Sequence, residues 1–201
     1  MRSHPPVSFT LDYQKLISCI GHFAERCNDL TKLKAVKLLY FLDKNHLLKH
    51  GRPVLGDNYV KMGYGPVPSM ALDILNEIID AGQMKVKMLD SENKEYFEKY
   101  IGIKHGKYPV FRAITEPNLD VLSESEKEAL SQTQKAYGKL AASTLVNRSH
   151  EDETFKQSEL NHYIDYKLFF EGERAVQPDA LEYFKSLEEN VGFLNVLDAN
   201  A

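Results

Sequence analysis

The sequence predicts a helix-dominated α+β single domain, in which a central hydrophobic helix packs beside a small antiparallel β-sheet. Three observations support this fold class. Apolar residues recur at three- and four-residue spacing over most of the chain, residues 38–42 are apolar at five consecutive positions, and short β-prone segments interrupt the first half. With 201 residues, 43% of them hydrophobic and 27% charged, the chain is long enough to bury one self-sufficient core.

The first two predicted helices form the amino-terminal part of this core. The first begins near Thr10 or Asp12, either of which can act as its cap. The second spans residues 30–50 and ends at Gly51. Because residues 38–42 place apolar side chains all round a helix, this second helix is expected to be central. A short buried strand is the alternative for that run, although the longer segment keeps helical spacing.

The middle of the chain is expected to supply the sheet. Three strands are predicted, at residues 59–64, 84–88 and 110–114. The glycines and prolines of residues 65–68 are expected to end the first strand, and a helix over residues 69–81 follows. Residues 92–101 are a further helical candidate.

The second half of the chain is predicted to be helical. Ser123 and Glu126 have the spacing of a capping box, and a buried stripe continues from them to Leu145, which predicts one long helix. Another helix is predicted over residues 155–170, and a last one begins at Pro178. We divide the chain into a tail (1–9), the main domain (10–173) and a helical extension packed on the same domain (174–201).

Charge and cysteine content narrow the classes of function. The formal net charge of −4 argues against a generic binder of nucleic-acid phosphates. Residues 1–119 carry 17 basic and 13 acidic side chains, whereas residues 120–201 carry 8 and 16. These halves either attract each other or present an acidic face to a basic partner protein. Cys19 and Cys27 are too far apart on one helix for a disulfide, and with no signal peptide or membrane span evident we expect a cytoplasmic protein.

Candidate catalytic and ligand motifs are incomplete. Gly51 and Gly56 have phosphate-loop spacing, but Asp57 stands where that loop needs lysine. His46 and His50 could share a helix face, yet the sequence offers no third metal ligand. Ser149 and His150 are adjacent, whereas a nucleophile and its base usually come from distant segments. We therefore expect no enzymatic activity, cofactor or metal.

One basic cluster keeps nucleic-acid binding as an alternative. Lysines and one arginine surround the second helix, at Lys32, Lys34, Lys37, Lys44, Lys49 and Arg52. A buried helix can present only its ends to DNA, so a DNA-binding regulator of a mobile element is the second hypothesis rather than the first.

Three separated segments resemble a known family. They are the helix containing Lys37, Tyr40 and Asp43, the run Tyr64-Gly65-Pro66-Val67, and a later helix that closes at Ser149-His150. Together they resemble the Panacea domain, also called the SocA-like antitoxin domain, over roughly residues 16–173. The family pattern often carries tryptophan after the final Ser-His. Here Phe155 could fill the same aromatic pocket.

The resemblance implies a bacterial or phage antitoxin that neutralises a cognate protein toxin, encoded nearby, by direct contact. Delivery of the toxin to a cellular protease is a variant that the sequence does not separate from occlusion. The signature residues serve either the fold or a partner contact: Lys37, Tyr40, Asp43, Tyr64, Gly65, Pro66, Val67 and His150. We expect Tyr40 to lie in the core. His150 is expected to cap its helix or to bond Tyr64 across the fold. The sequence specifies no oligomeric state.

Overall fold

A computed structural model describes residues 7–81, 87–171 and 176–199 of the chain. Within them the helices are α1 (Tyr13–Arg26), α2 (Lys32–His50), α3 (Ser69–Ala81), α4 (Ser91–Tyr100), α5 (Glu124–Tyr137), α6 (Ala142–Glu151), α7 (Glu153–Gln157) and α8 (Pro178–Ala199). The strands are β1 (Tyr59–Met62), β2 (Gly65–Pro68), β3 (Ile101–Lys104) and β4 (Val110–Ala113). The predicted fold class is confirmed: one helix-dominated domain with small antiparallel sheets. No helix in these ranges combines the length and the apolar character needed to cross a bilayer.

Helix α2 is the centre of the domain, as predicted. The Thr31 hydroxyl caps its start by accepting a hydrogen bond from the Lys34 amide, and Gly51 ends it in the left-handed conformation at φ 73°. Fourteen of its residues are buried, because α1, α3, α5, α6, α8 and strand β2 all pack around it. Asp12, not Thr10, caps α1.

The predicted single sheet is instead two separate two-stranded sheets. Strand β1 pairs with β2, and β3 pairs with β4. The Gly-Pro-rich run of residues 65–68, expected only to end a strand, is itself strand β2. In its register Lys61 faces Pro66 and Tyr59 faces Pro68, while the flanking Ser69 amide donates to Asn58 O. Pairs alternate along an antiparallel ladder, so both prolines take the non-hydrogen-bonded positions, where a missing N–H costs no ladder bond.

The two other strand predictions have different outcomes. The predicted strand over residues 110–114 is confirmed as β4, and its partner β3 was not predicted. The predicted strand over residues 84–88 falls mostly on residues 82–86, which lie outside the described residues. The helical candidate at residues 92–101 is confirmed as α4, capped by Asp90.

The long helix predicted from Ser123 to Leu145 is two helices. The capping box of Ser123 and Glu126 is present, but α5 stops at Tyr137 and α6 starts at Ala142. Tertiary contacts account for the break. Cys27 Sγ donates to Gly138 O over 3.2 Å, and Tyr137 stacks on Phe41 with ring centres 4.4 Å apart. These contacts hold residues 137–138 against α1 and α2.

The helix predicted over residues 155–170 is also wrong. Only the short α7 and a 3-10 turn at Tyr166–Phe169 are helical. Between them the backbone pairs with the outer edge of β1: the Lys61 amide donates to His162 O, and the Ile164 amide donates to Tyr59 O. A long-range strand contact of this kind leaves no periodic signal in the local sequence.

Ion pairs connect the basic half of the chain to the acidic half. Glu126 is buried and accepts from Lys15 and Arg52, Glu128 pairs with Lys49, and Asp152 pairs with Lys44. Ion pairs between the two halves of the chain therefore neutralise part of their opposite charge.

Candidate functional site

Four of the eight signature residues meet at one junction beside α2: Lys37, Gly65, Pro66 and His150. Lys37 lies where α2 meets the β1–β2 hairpin and the end of α6. A β-carbon placed on Gly65 would lie 2.4 Å from Ser149 Oγ, 2.7 Å from Lys37 Nζ and 3.3 Å from His150 Cδ2. Three segments far apart in sequence thus meet at one glycine. We call Lys37, Gly65, Pro66, Ser149 and His150 the signature junction.

Lys37 is the polar centre of the signature junction. Its side chain is fully buried, and Nζ donates to Pro66 O over 2.7 Å. Desolvation by burial lowers the pKa of Lys37 to about 7. The lysine therefore fixes the carbonyl of a strand residue that has no N–H of its own.

Gly65 is required by both conformation and space. Its φ of +94° lies in the region that residues with a side chain rarely adopt. Its α-hydrogen faces Lys37 and Ser149, so no β-carbon fits. The turn predicted at Gly65 instead lies at residues 63–64; Gly65 is the first residue of strand β2, and Pro66 and Val67 continue that strand, where Val67 pairs with Val60.

His150 does not bond Tyr64. Its ring stacks on Phe155 with centroids 4.5 Å apart and planes 12° from parallel, while Nε2 is buried without a hydrogen-bond partner. Burial lowers the pKa of His150, and the charges of Lys37 and Lys61 lower it further. Tyr64, at the tip of the hairpin, is 73% exposed.

Phe155 provides an aromatic partner for His150, in line with the expectation that it stands in for the tryptophan of the family pattern. Besides His150, it contacts Lys61, whose Nζ lies 4.5 Å from the ring centre. Lys61 Nζ also donates to Ser158 O over 2.8 Å. These contacts fasten α7 and the segment after it to the β1–β2 hairpin.

Tyr40 extends this junction toward α7. The tyrosine is buried, as predicted, and its hydroxyl donates to Asp152 Oδ2 over 2.7 Å. Lys44 Nζ, one turn further along α2, lies 2.8 Å from the other oxygen of the same carboxylate. Asp152 thus links the side chains of Tyr40 and Lys44 on α2 to the start of α7.

Asp43 has a different role, because it holds the loop that leads to β1. Its carboxylate accepts from the amides of Val54 and Leu55 and from the Tyr59 hydroxyl, all at 2.9 Å. Burial raises the pKa of Asp43 to about 7, although these three donors act in the opposite direction. The Asp43 carboxylate thus provides the hydrogen-bond acceptor that two buried backbone amides would otherwise find in water.

The serine of the signature junction and the two cysteines are all buried in the fold. Ser149 is fully buried, and its hydroxyl donates to Val146 O over 2.8 Å. Both cysteines are buried and unpaired by disulfide, and burial raises the pKa of each thiol. What the arrangement can do is hold the hairpin, α6 and α7 rigidly on α2.

Of the two histidines that could share a helix face, His46 is hydrogen-bonded within the fold, whereas His50 Nε2 is buried without a hydrogen-bond partner. His46 Nδ1 lies 2.7 Å from Arg52 O, which can only accept, so Nδ1 carries the proton, and Nε2 faces the Ser125 hydroxyl. Burial lowers the pKa of His46 to about 4. In the part of the chain that the structure describes, no group of three His, Cys, Asp or Glu side chains could hold a metal.

The basic cluster on α2 is not a free cationic surface. Every member has a hydrogen-bond or ion-pair partner inside the protein: Lys32 with Asn76, Lys34 with Asp29, Lys37 with Pro66, Lys44 with Asp152, Lys49 with Glu128, and Arg52 with Glu126. This pairing removes the observation on which DNA binding was predicted.

Sequence reasoning missed the contacts of two residues of the site. Asp152 lies within the acidic run 151–153, a pattern that is typical of a solvated loop. Ser149 belongs to the Ser149-His150 motif of the resemblance, but its place against Gly65 was not predicted. No local signal marks either contact, since each partner lies about a hundred residues away along the chain.

The comparison with protein families agrees with this geometry. The family model "Antitoxin SocA-like, Panacea domain" matches residues 36–155. That span contains every signature residue and Phe155, and it covers more than half of the chain. No curated protein and no solved structure matches the chain. A buried junction built from the signature residues, within a matching span of this length, shows that this chain belongs to the SocA-like antitoxin family with a Panacea domain.

Proposed function

We propose that this protein is the antitoxin of a bacterial or phage toxin–antitoxin system and that it neutralises a cognate protein toxin by direct, stoichiometric binding in the cytoplasm. Membership of the antitoxin family supports an antitoxin-like role in general. The identity of the partner as a toxin, the mode of neutralisation and the location in the cytoplasm are our proposals beyond that general role.

The observation that carries this proposal is the closed signature junction. Lys37 and Ser149 are buried and donate to backbone carbonyls, and Asp43 is surrounded by its own three donors. A site that turned over a substrate would need at least one such group accessible to it. These residues support a rigid scaffold, and we therefore propose that the protein acts through its surface and without catalysis.

The experiment is co-expression with the product of the adjacent gene. We expect that product alone to stop colony growth, and growth to return when this protein is induced with it. The two proteins are also expected to co-purify. Toxicity that persists when both proteins are expressed and folded would overturn the proposal.

A protease-deficient host distinguishes the two modes of neutralisation. Occlusion predicts rescue in such a host and a toxin that accumulates in the complex. Delivery to a protease predicts that rescue is lost and that the toxin level falls only in the parent host.

A further inference from the structure

An apolar groove lies where the starts of α2 and α6 approach the loop between β3 and β4. It has a volume of about 480 Å³, within the range of roughly 300–1,000 Å³ that is usual for binding pockets. Its lining includes Lys32, Leu33, Ile79, Tyr108, Pro109 and Ala142. We call it the α2–α6 groove.

The α2–α6 groove exposes an aromatic side chain at its rim. Tyr108 is 69% exposed, and Lys107 Nζ lies 5.5 Å from the centre of its ring. Leu33 and Ile79 are only partly covered. A tyrosine beside partly covered aliphatic side chains is typical of the centre of a protein interface, where the ring supplies contact area and the hydroxyl remains available for a hydrogen bond.

The charge around the groove is positive. Lys32 is its one charged lining residue, and no carboxylate lines it. Neither α2 nor α6 has an acidic residue in its first turn, so the positive end of each helix dipole is left without the usual compensation. At the start of α6, Ala141 also provides no side-chain cap, which leaves amides of its first turn for an outside acceptor.

Most of the neighbouring charges are positive or already paired. Asp29 lies three residues before α2, but it is paired with Lys34 Nζ at 2.6 Å. Asp80 is an exposed carboxylate near the end of α3, whereas the end of β3 and the β3–β4 loop add two exposed lysines, Lys104 and Lys107. An apolar floor with a cationic rim is complementary to apolar anchors flanked by carboxylates.

We propose that the α2–α6 groove binds an acidic amphipathic helix of the partner protein. Its apolar residues, spaced three and four apart, would contact Leu33, Ile79 and Tyr108. Its carboxylates would face Lys32 and the first turn of α6. This inference rests on the proposed function, because the protein that supplies the helix is the proposed toxin.

A pair of synthetic peptides tests the groove itself. Each has about 15 residues, with leucines at helical spacing and either glutamates or lysines at the other positions, and carries a fluorescent label. Fluorescence anisotropy with the full chain is expected to show that the acidic peptide binds about tenfold or more tightly than the basic one. Equal binding of the two peptides, or no saturable binding of the acidic one, would overturn the proposal.

Two exposed tyrosines supply matched variants. Tyr108→Asp places a carboxylate at the groove and is expected to weaken binding of the acidic peptide about tenfold or more. Tyr183→Asp makes the same change at a tyrosine that is 46% exposed and outside the groove, and is expected to leave binding unchanged. Unchanged binding by Tyr108→Asp, or an equal loss in both variants, would refute the assignment.

Toxin rescue by the same variants separates this proposal from the proposed function. Lost rescue with Tyr108→Asp and full rescue with Tyr183→Asp would support both. Full rescue with both variants would overturn the groove and keep the antitoxin role. Failure of the parent protein to rescue would overturn the antitoxin role, while the peptide measurement still decides the groove. If Tyr108→Asp instead converts a dimer to a monomer, the occupant is a second copy and the partner-helix proposal is wrong.

Discussion

Replacing Gly65 by alanine should destabilise the domain substantially. A residue with a β-carbon at φ +94° costs about 1–3 kcal/mol. The new methyl group would also lie 2.7 Å from Lys37 Nζ and 2.4 Å from Ser149 Oγ. Both side chains are buried and hydrogen-bonded, so neither can move without losing its partner. Loss of the charged bond from Lys37 to Pro66 adds about 1.5–3 kcal/mol.

Together these contributions predict a loss of about 2.5–6 kcal/mol, which for a domain of this size lowers the melting temperature by roughly 5–24 °C. Thermal and urea denaturation followed by circular dichroism measure it. Gly63→Ala is the matched control in the same hairpin, because no atom lies within 4 Å of its added β-carbon; we expect a change of less than about 0.5 kcal/mol. A Gly65→Ala protein as stable as Gly63→Ala would refute the reasoning about the signature junction.

Three further predictions concern buried charges. Asp43→Ala should cost at least about 3 kcal/mol in urea denaturation, because two backbone amides and the Tyr59 hydroxyl lose their acceptor. Burial tends to raise the pKa of Glu126, but hydrogen bonds from its lysine and arginine partners lower it to about 2. The stabilisation by Glu126 is therefore present above the unfolded pKa of 4.5 and is lost as pH falls toward 2. Glu126→Gln should lose about 1–2 kcal/mol of stability at neutral pH and show a shallower dependence of stability on acid pH. Burial lowers the pKa of Lys37 from 10.5 to about 7, so at this site the unfolded chain binds more protons between these values and Lys37 should add about 2–4 kcal/mol of stability as pH rises across that window. The two buried thiols, whose pKa burial raises, act in the opposite direction at the upper end of the window, so the Lys37 contribution is measured as the rise that Lys37→Met loses relative to the parent.

Exposed ion pairs provide the controls for these variants. Glu124→Gln removes a carboxylate that is 91% exposed and should not alter the acid dependence. Lys49→Met removes a lysine that is 47% exposed and should keep the rise at alkaline pH. A loss below about 1 kcal/mol for Asp43→Ala, an unchanged acid profile for Glu126→Gln, or a persistent rise for Lys37→Met would each contradict the corresponding assignment.

Sequence patterns predicted the parts of the fold that local interactions determine. Helix α2 could be identified because its apolar run is too long for an exposed surface and Gly51 follows it. The capping box at Ser123 marked the start of α5. Gly51 and the capping box lie within one turn of a helix end, and the apolar run lies within the helix that it predicts.

The errors arose where distant contacts outweigh local preference. Gly138 interrupts the predicted long helix, with its carbonyl held by the Cys27 thiol. Tyr163 faces Val60 across an isolated strand bridge, so a segment with helical composition is extended. Strand β2 contains two prolines, which usually argue against a strand, and only the pairing register explains why they are tolerated.

The sequence identified most residues of the candidate site but not how they are arranged in space. The eight signature residues lie on α2, on the β1–β2 hairpin and at the end of α6, yet the sequence showed neither that Lys37 is buried nor that Asp152 joins Tyr40 to Lys44. Burial of a lysine runs against its usual preference, and only the three-dimensional fold reveals the carbonyl that it binds.

The central claim is that this chain inactivates a protein toxin by binding it. The most direct measurement is an isothermal titration of the purified product of the adjacent gene with the purified full chain, with the toxin's own activity assayed at each addition. We predict saturable binding at a fixed stoichiometry, with activity lost in proportion to the complex formed. Activity that is unchanged at saturation, or the absence of binding between two folded proteins, would contradict the claim.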